Sequence, residues 1–238
     1  MIKMERDICR KQLFYIEDKK IEVYLSSGDD SPVIYLNTFA GEGKQVYQLL
    51  RDANCQDFTF VAISGLTWDH DMAPWDIPPI SKNDTPCTGG ADRYVQLLTD
   101  EIVPKAESFV QGRVLWRGLA GYSLAGLFAL YSLYHTGIFS RIASMSGSLW
   151  FPNFKEYVFS HDMVQKPEYL YLSLGDSESN TQNPYLKSVQ KHTEEFHAFY
   201  VQKGIDTEFQ LNPGGHYQNT VQRTALGMEK ILYFTMNR

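Results

Sequence analysis

An α/β fold, with a mainly parallel central sheet flanked by helices on both faces, is predicted by two features of the sequence. Short apolar runs such as SPVIYLN, FTFVAIS, RIASMSG and YLYLSLG are the right length for fully buried strands. Stretches with helical spacing stand between them, and that alternation builds a largely parallel sheet. The 238 residues are 43% hydrophobic and 21% charged. This suits one sizeable core, so one domain spanning residues 1–238 is expected.

The elements follow in order. QLFYI and KIEVYLSS flank the polar turn EDKK and predict a hairpin. SPVIYLN is a buried strand. KQVYQLLRDA is a short amphipathic helix with Val46, Leu49 and Leu50 on one face, and FTFVAIS is a second buried strand. GLTWDHDMAPWDIPPISKNDTPCTGG is then a long irregular segment; loops of that length inside a compact unit are usually functional or disordered, and its two tryptophans and few charges argue against disorder. From Ala91 the spacing of Tyr94, Leu97, Leu98 and Ile102 is helical, with Pro104 bending or ending the helix. WRGLAG predicts a strand, and LAGLFALYSLYHTG a helix closed by Gly137. RIASMSG and YLYLSLG are further strands. Asn183-Pro184 opens a helix that Gly204 follows, TEFQLN is the last strand, and a final helix ends the chain.

Composition excludes several functions. Net charge is −6, so no basic footprint invites nucleic acid or an anionic membrane surface. The first twenty residues hold no apolar leader segment and no stretch is of membrane length, which predicts a cytoplasmic protein. Cys9, Cys55 and Cys87 are odd in number and widely spaced, as expected of reduced thiols. No phosphate-cradling glycine motif is present, and Asp69, His70, Asp71 and Asp76 lack paired ligand spacing, so neither cofactor nor metal is expected. The oligomeric state is not legible.

GYSLAG carries the chemistry. It lies between a strand and a helix, the setting in which G-x-S-x-G becomes a sharp turn displaying a nucleophilic serine. Ala125 replaces the second glycine, and smallness is what the turn requires. A serine hydroxyl needs a base. Of six histidines, His192 and His197 fall inside a helix, His135 at a helix end, and His161 beside Asp162. His216, in NPGGHY directly after the last strand, is the candidate base. The acid belongs after YLYLSLG, where GDSESN offers Asp176 and Glu178. Glu178 is preferred because it is better placed to reach outward. The tetrahedral intermediate needs donors for its oxyanion. Leu124 N–H follows the serine, and NTFAGEG supplies a second from Phe39 or Thr38. Trp68, Trp75 and Trp150 are candidate walls of a substrate pocket, the alternative being a satellite core beneath the loop.

GYSLAGLFALY, SGSLWFP, LGDSESNTQNP and GGHY together resemble the putative esterase family of α/β-hydrolases, which includes esterase D-like enzymes and enterochelin and salmochelin esterases. The resemblance runs from about Pro32 to the last helix. It implies an α/β-hydrolase fold and a serine hydrolase of carboxylic esters, with Ser123 as nucleophile, His216 as base and Glu178 as acid. Thioesterase and acyltransferase are variants of the same chemistry, and a non-catalytic binding protein on this scaffold is the rival class. Asn37-Thr38-Phe39 departs from the Asp-Gly pair of many relatives. Siderophore esterases are expected to carry basic residues at the site, whereas the loops here are aromatic and acidic. A compact, uncharged or cationic ester is therefore the expected partner.

Overall fold

The chain enters the sheet through an antiparallel hairpin, β1 (Lys11–Ile16) and β2 (Lys19–Tyr24), in which Ile16 pairs with Lys19. The turn is only Glu17-Asp18, with Glu17 at φ 50°. Lys19 and Lys20 are strand residues rather than part of the four-residue turn expected from EDKK. The reason is an ion pair. Lys19 Nζ lies 2.9 Å from Asp71 Oδ2, with each side chain only 6% exposed. The computed structural model describes residues 10–82 and 84–235, so Cys9 lies outside the described residues.

The rest alternates. β3 (Ser31–Asn37), α1 (Gly43–Asp52) and β4 (Thr59–Ser64) lead into the segment 65–90, which holds the one-turn helix α2 (Trp68–Asp71) and a two-stranded ribbon, β5 (Asp76–Ile77) and β6 (Cys87–Thr88). Next come α3 (Ala91–Leu97), a π turn at Leu98–Ile102 and α4 (Val103–Glu107). Pro104 thus neither ends the helix nor stands in a plain α-helical interior. It has no N–H to donate and its ring crowds the carbonyl four residues back. Widening the preceding turn accommodates both.

β7 (Val114–Tyr122) and α5 (Leu124–Ser132) follow, then β8 (Arg141–Met145), α6 (Phe154–Ser160) and β9 (Tyr169–Gly175). Next are α7 (Pro184–Lys187), α8 (Val189–Gln202), β10 (Asp206–Asn212) and α9 (Thr220–Tyr233). Asn183 caps α7 by accepting from the N–H groups of Tyr185 and Leu186. α5 stops at Ser132, short of the expected Gly137. Ser132 Oγ turns back onto Ala129 O, and the N–H groups of His135 and Thr136 close on Ser132 O.

The main sheet has the order β1-β2-β4-β3-β7-β8-β9-β10, parallel from β4 to β10 and antiparallel only at β1 and β2. One apolar cluster packs each face. α1 and α9 cover one face with Val46, Leu50, Met228 and Ile231; α3, α5 and α8 cover the other with Tyr94, Leu127, Phe128 and Phe196. All nine residues of α5 are buried, as an all-round apolar helix requires. The carboxyl ends of β3, β7, β8, β9 and β10 share one edge, where open parallel sheets place their sites. No helix among the described residues is long and apolar enough to cross a membrane.

The Lys19–Asp71 pair ties the hairpin to the segment over that edge. Lys19→Met strands a buried carboxylate and is expected to cost about 3–5 kcal/mol in urea unfolding, whereas the double change Lys19→Met, Asp71→Leu should recover most of that loss. Equal destabilisation by the single and double variants would show that charge pairing is not what holds the segment.

Candidate active site

The turn between β7 and α5 is made at Ser123, whose backbone sits at φ 58°, ψ −124°. A non-glycine residue is held at positive φ only where its surroundings enforce it. Here Ser123 N–H donates to Met145 O (3.0 Å), while Ser123 O accepts from Gly126, Leu127 and Ser148. The helix folds back so tightly that a Cβ on Gly121 would lie 2.2 Å from Ala125 O. A Cβ on Gly126 would meet Ser144 Oγ and the Gly147 backbone at 2.9–3.0 Å. The small residues are therefore a packing requirement of the turn.

Three strand ends bring the candidate groups together. His216 Nε2 is 3.0 Å from Ser123 Oγ, and His216 Nδ1 donates to Glu178 Oε2 at 2.7 Å. Because Nδ1 carries the proton toward the carboxylate, Nε2 is left to accept from the serine hydroxyl. Glu178 is 4% exposed in its side chain and its second oxygen accepts from Ser146 Oγ (2.7 Å) and Gly175 N–H (2.6 Å). Burial pushes its pKa up. The hydrogen bond and charge of His216, with those from Ser146 and Gly175, outweigh burial and hold the carboxyl below its usual range. Asp176, the alternative acid, accepts from Gly214 N–H (2.9 Å) and so braces the loop carrying His216.

Sequence reasoning missed three neighbours. Ser148 Oγ stands 3.4 Å from Ser123 Oγ, Tyr122 Oη donates to His216 O at 2.6 Å, and Arg223 reaches Glu178 Oε1 at 3.3 Å. A signal for Arg223 exists, since its spacing from Gly227 and Ile231 puts an arginine on the buried face of α9. The other histidines are engaged elsewhere: His192 with Leu149 O, His197 with Thr207 O, His161 with Tyr157 O, and His135 with the Tyr157 hydroxyl.

Leu124 N is the first amide of α5, adjacent to the nucleophile candidate. Thr38 N–H is committed to Ile63 O (2.9 Å) in the sheet. That leaves Phe39 of the two expected from NTFAGEG. Phe39 N–H leans on Glu42 Oε1 at 3.3 Å, while Ala40 N–H takes Glu42 Oε2 at 2.9 Å.

A cavity of about 560 Å³ opens over Ser123 and His216, with Phe39, Trp68, Leu124 and Trp150 in its wall. Trp75 does not line it. Its indole N–H donates to Pro152 O (3.0 Å) and its ring packs on Phe151, Phe154, Tyr131 and Tyr157. Trp75 is satellite core. Trp68 does line the cavity and meets the 70% exposed Phe39 ring edge-on.

Of the acidic loop residues, Asp69 lines the cavity together with Asp84, but Asp71 is buried on Lys19 and His70 Nδ1 bonds to Thr88. Among the described lining residues none is Lys or Arg. Arg93 pairs with Glu17, and Arg117 with Glu107. Cys87 also lines the wall, yet burial and the nearby charges of Asp69 and Asp84 push its thiol up to about 11, which leaves little thiolate at neutral pH. Among the described residues no group of His, Cys, Asp or Glu is placed to hold a metal ion.

With this geometry in place, comparison with known proteins is decisive for the family: the putative esterase family matches residues 17–228. The chain belongs to the putative esterase family. Membership makes it a hydrolase enzyme acting on ester bonds. The uncharacterised protein YbbA of Bacillus subtilis (strain 168) is 24% identical over 195 residues, covering 79% of this chain and 78% of that protein. Among solved structures, an IroE-like serine hydrolase from Shewanella oneidensis superposes with a TM-score of 0.76 at 20% identity, covering 93% of this chain and 79% of that one. The siderophore hydrolase EstA from Aspergillus nidulans gives 0.70 at 18%, covering 94% and 93%. The fold is thus of the α/β-hydrolase type.

Gly121→Ala tests the turn. The added carbon has backbone on the far side, so stability should fall by roughly 2–3 kcal/mol. Turnover should fall about a hundredfold, because a displacement below 1 Å is enough to misplace the reacting oxygen. Wild-type melting temperature and turnover in this variant would show that the turn has room to spare.

Proposed function

We propose that the protein is a cofactor-independent serine carboxylesterase acting on a small ester. The observation that carries this reading is the continuous hydrogen-bonded line from Ser123 Oγ through His216 to Glu178 at the floor of the cavity. His216 Nε2 takes the proton as Ser123 Oγ attacks the ester carbonyl, and Glu178 stabilises the imidazolium that results. The tetrahedral oxyanion is met by Leu124 N–H at the start of α5 and by Phe39 N–H, whose long contact to Glu42 is weak enough to be exchanged for an anion. His216 then protonates the leaving alcohol. A water, deprotonated by the same nitrogen, then attacks the carbonyl of the acyl group left on Ser123. His216 returns the proton to Ser123 Oγ as the acyl C–Oγ bond breaks and the carboxylic acid leaves.

Substrate chemistry follows from the lining. The likeness to the siderophore hydrolase EstA makes a siderophore ester, an anionic substrate, the obvious rival. Against it stand Asp69 and Asp84 in the wall and the absence of Lys and Arg from the described lining residues. A polyanion entering there would lose hydration and find only like charge. A compact uncharged or cationic ester needs an apolar wall and two amide donors, which Trp68, Trp150, Leu124 and Phe39 supply.

Two measurements bear on this. Ser123→Ala should lower kcat on a short p-nitrophenyl ester by several orders of magnitude, and Glu178→Gln should lose far more activity than Asp176→Asn, because a neutral amide cannot stabilise an imidazolium. Retained activity without the serine would remove the nucleophile assignment, and the reverse order of the acids would move the role to Asp176. In the second, kcat/KM for short p-nitrophenyl esters should exceed that for a ferric triscatecholate trilactone at matched ionic strength. A strong preference for the trilactone would reject the substrate class.

A further inference from the structure

Arg223 is buried, 4% exposed in its side chain, on a helix that contributes nothing to the cavity wall. Burying a guanidinium costs several kcal/mol unless it is paired and its donors are met. Its partners come from four segments of the site. Nη1 points at Glu178 Oε1 (3.3 Å), Tyr122 Oη (3.3 Å) and Ser146 Oγ (3.4 Å), and Nη2 donates to Pro213 O at 2.8 Å. Tyr122 directly precedes Ser123 and holds the carbonyl of His216. Pro213 begins the loop that ends in His216. Glu178 and Ser146 stand at the ends of β9 and β8.

We propose that Arg223 is the positioning residue of this site: one guanidinium ties the serine strand, the acid loop and the histidine loop together and supplies the positive charge that balances Glu178. The inference rests on the catalytic reading above and adds a residue that never meets substrate. Its electrostatic sense is definite. The groups facing Glu178 are His216 from the loop after β10, Arg223 from α9, the Tyr122 hydroxyl from β7, Ser146 after β8 and the Gly175 amide from β9. Asp176 faces Gly214 instead.

With Arg223 present, its positive charge offsets part of the field that Glu178 exerts at His216. Without it, the full carboxylate charge falls on His216 and the imidazolium is favoured. A lysine keeps the charge but cannot reach Glu178, Tyr122 and Pro213 at once, because it lacks the planar fork.

The experiment is the pH dependence of kcat/KM for wild type, Arg223→Met and Arg223→Lys, with melting curves for each. The acid limb of that profile reports the base of the free enzyme. In Arg223→Met it should move about one unit to higher pH, and plateau kcat should fall about tenfold or more with KM within about threefold. In Arg223→Lys the limb should stay where it is in wild type while plateau kcat still falls. An unmoved limb in a folded Arg223→Met variant overturns the proposal, as do identical profiles for Met and Lys. Should Arg223→Met fail to fold, Arg223→Lys decides: full wild-type activity overturns the proposal, and a lowered plateau with an unshifted limb supports it. A wild-type enzyme whose activity survives Ser123→Ala would instead sink the catalytic reading. A serine-dependent enzyme whose limb ignores Arg223 would sink only this inference.

Discussion

The site depends on one backbone constraint, the positive φ of Ser123 at the junction of β7 and α5. That conformation aims the hydroxyl into the cavity and presents the first amides of α5 on the same side. It survives because neighbours on both sides fix it: Met145 O from β8 takes the serine N–H, and the serine carbonyl is held by Gly126, Leu127 and Ser148. The demand then spreads outward. Gly121 must lack a side chain because Ala125 O would meet it, and Gly126 must be bare because Ser144 and Gly147 lie against it. β8 thereby shapes the turn at Ser123 as much as β7 does.

The second layer is electrostatic. A carboxylate, an imidazole and a guanidinium meet below the cavity, with the two permanent charges buried and opposed. Such an arrangement is stable only while every partner is in place. Tyr122, Ser146 and Gly175 are therefore not bystanders. They satisfy the oxygens and donors that the charges leave over. A similar logic holds beside the cavity, where Lys19 and Asp71 pin the segment that carries Trp68.

Much of this was legible in the sequence, for identifiable reasons. The turn at Ser123 could be read because smallness at 121, 125 and 126 is a local demand that leaves a local mark. His216 could be read because two glycines after a strand allow an imidazole to come close. Glu178 rested on loop position alone, and what separates it from Asp176 is the tertiary contact of Asp176 with Gly214. The pocket-wall reading of Trp75 fails because proximity to Trp68 in sequence does not reveal that the Trp75 ring packs among Tyr131, Phe151, Phe154 and Tyr157. Arg223 escaped notice because a single arginine in a terminal helix looks solvated until its apolar neighbours at helical spacing are counted. The extension of the helix past Pro104 depended on a π turn, which has no sequence signature of its own.

The central claim is that Ser123 is an activated nucleophile in a preformed site. Its most direct test is covalent: treat the wild-type protein with a fluorophosphonate at neutral pH, digest it, and map the adduct by peptide mass spectrometry. The account predicts a single adduct, on Ser123, whose formation is lost when the base is removed in His216→Ala. A folded protein that takes up no reagent, or one modified at another residue while Ser123 stays free, would contradict it.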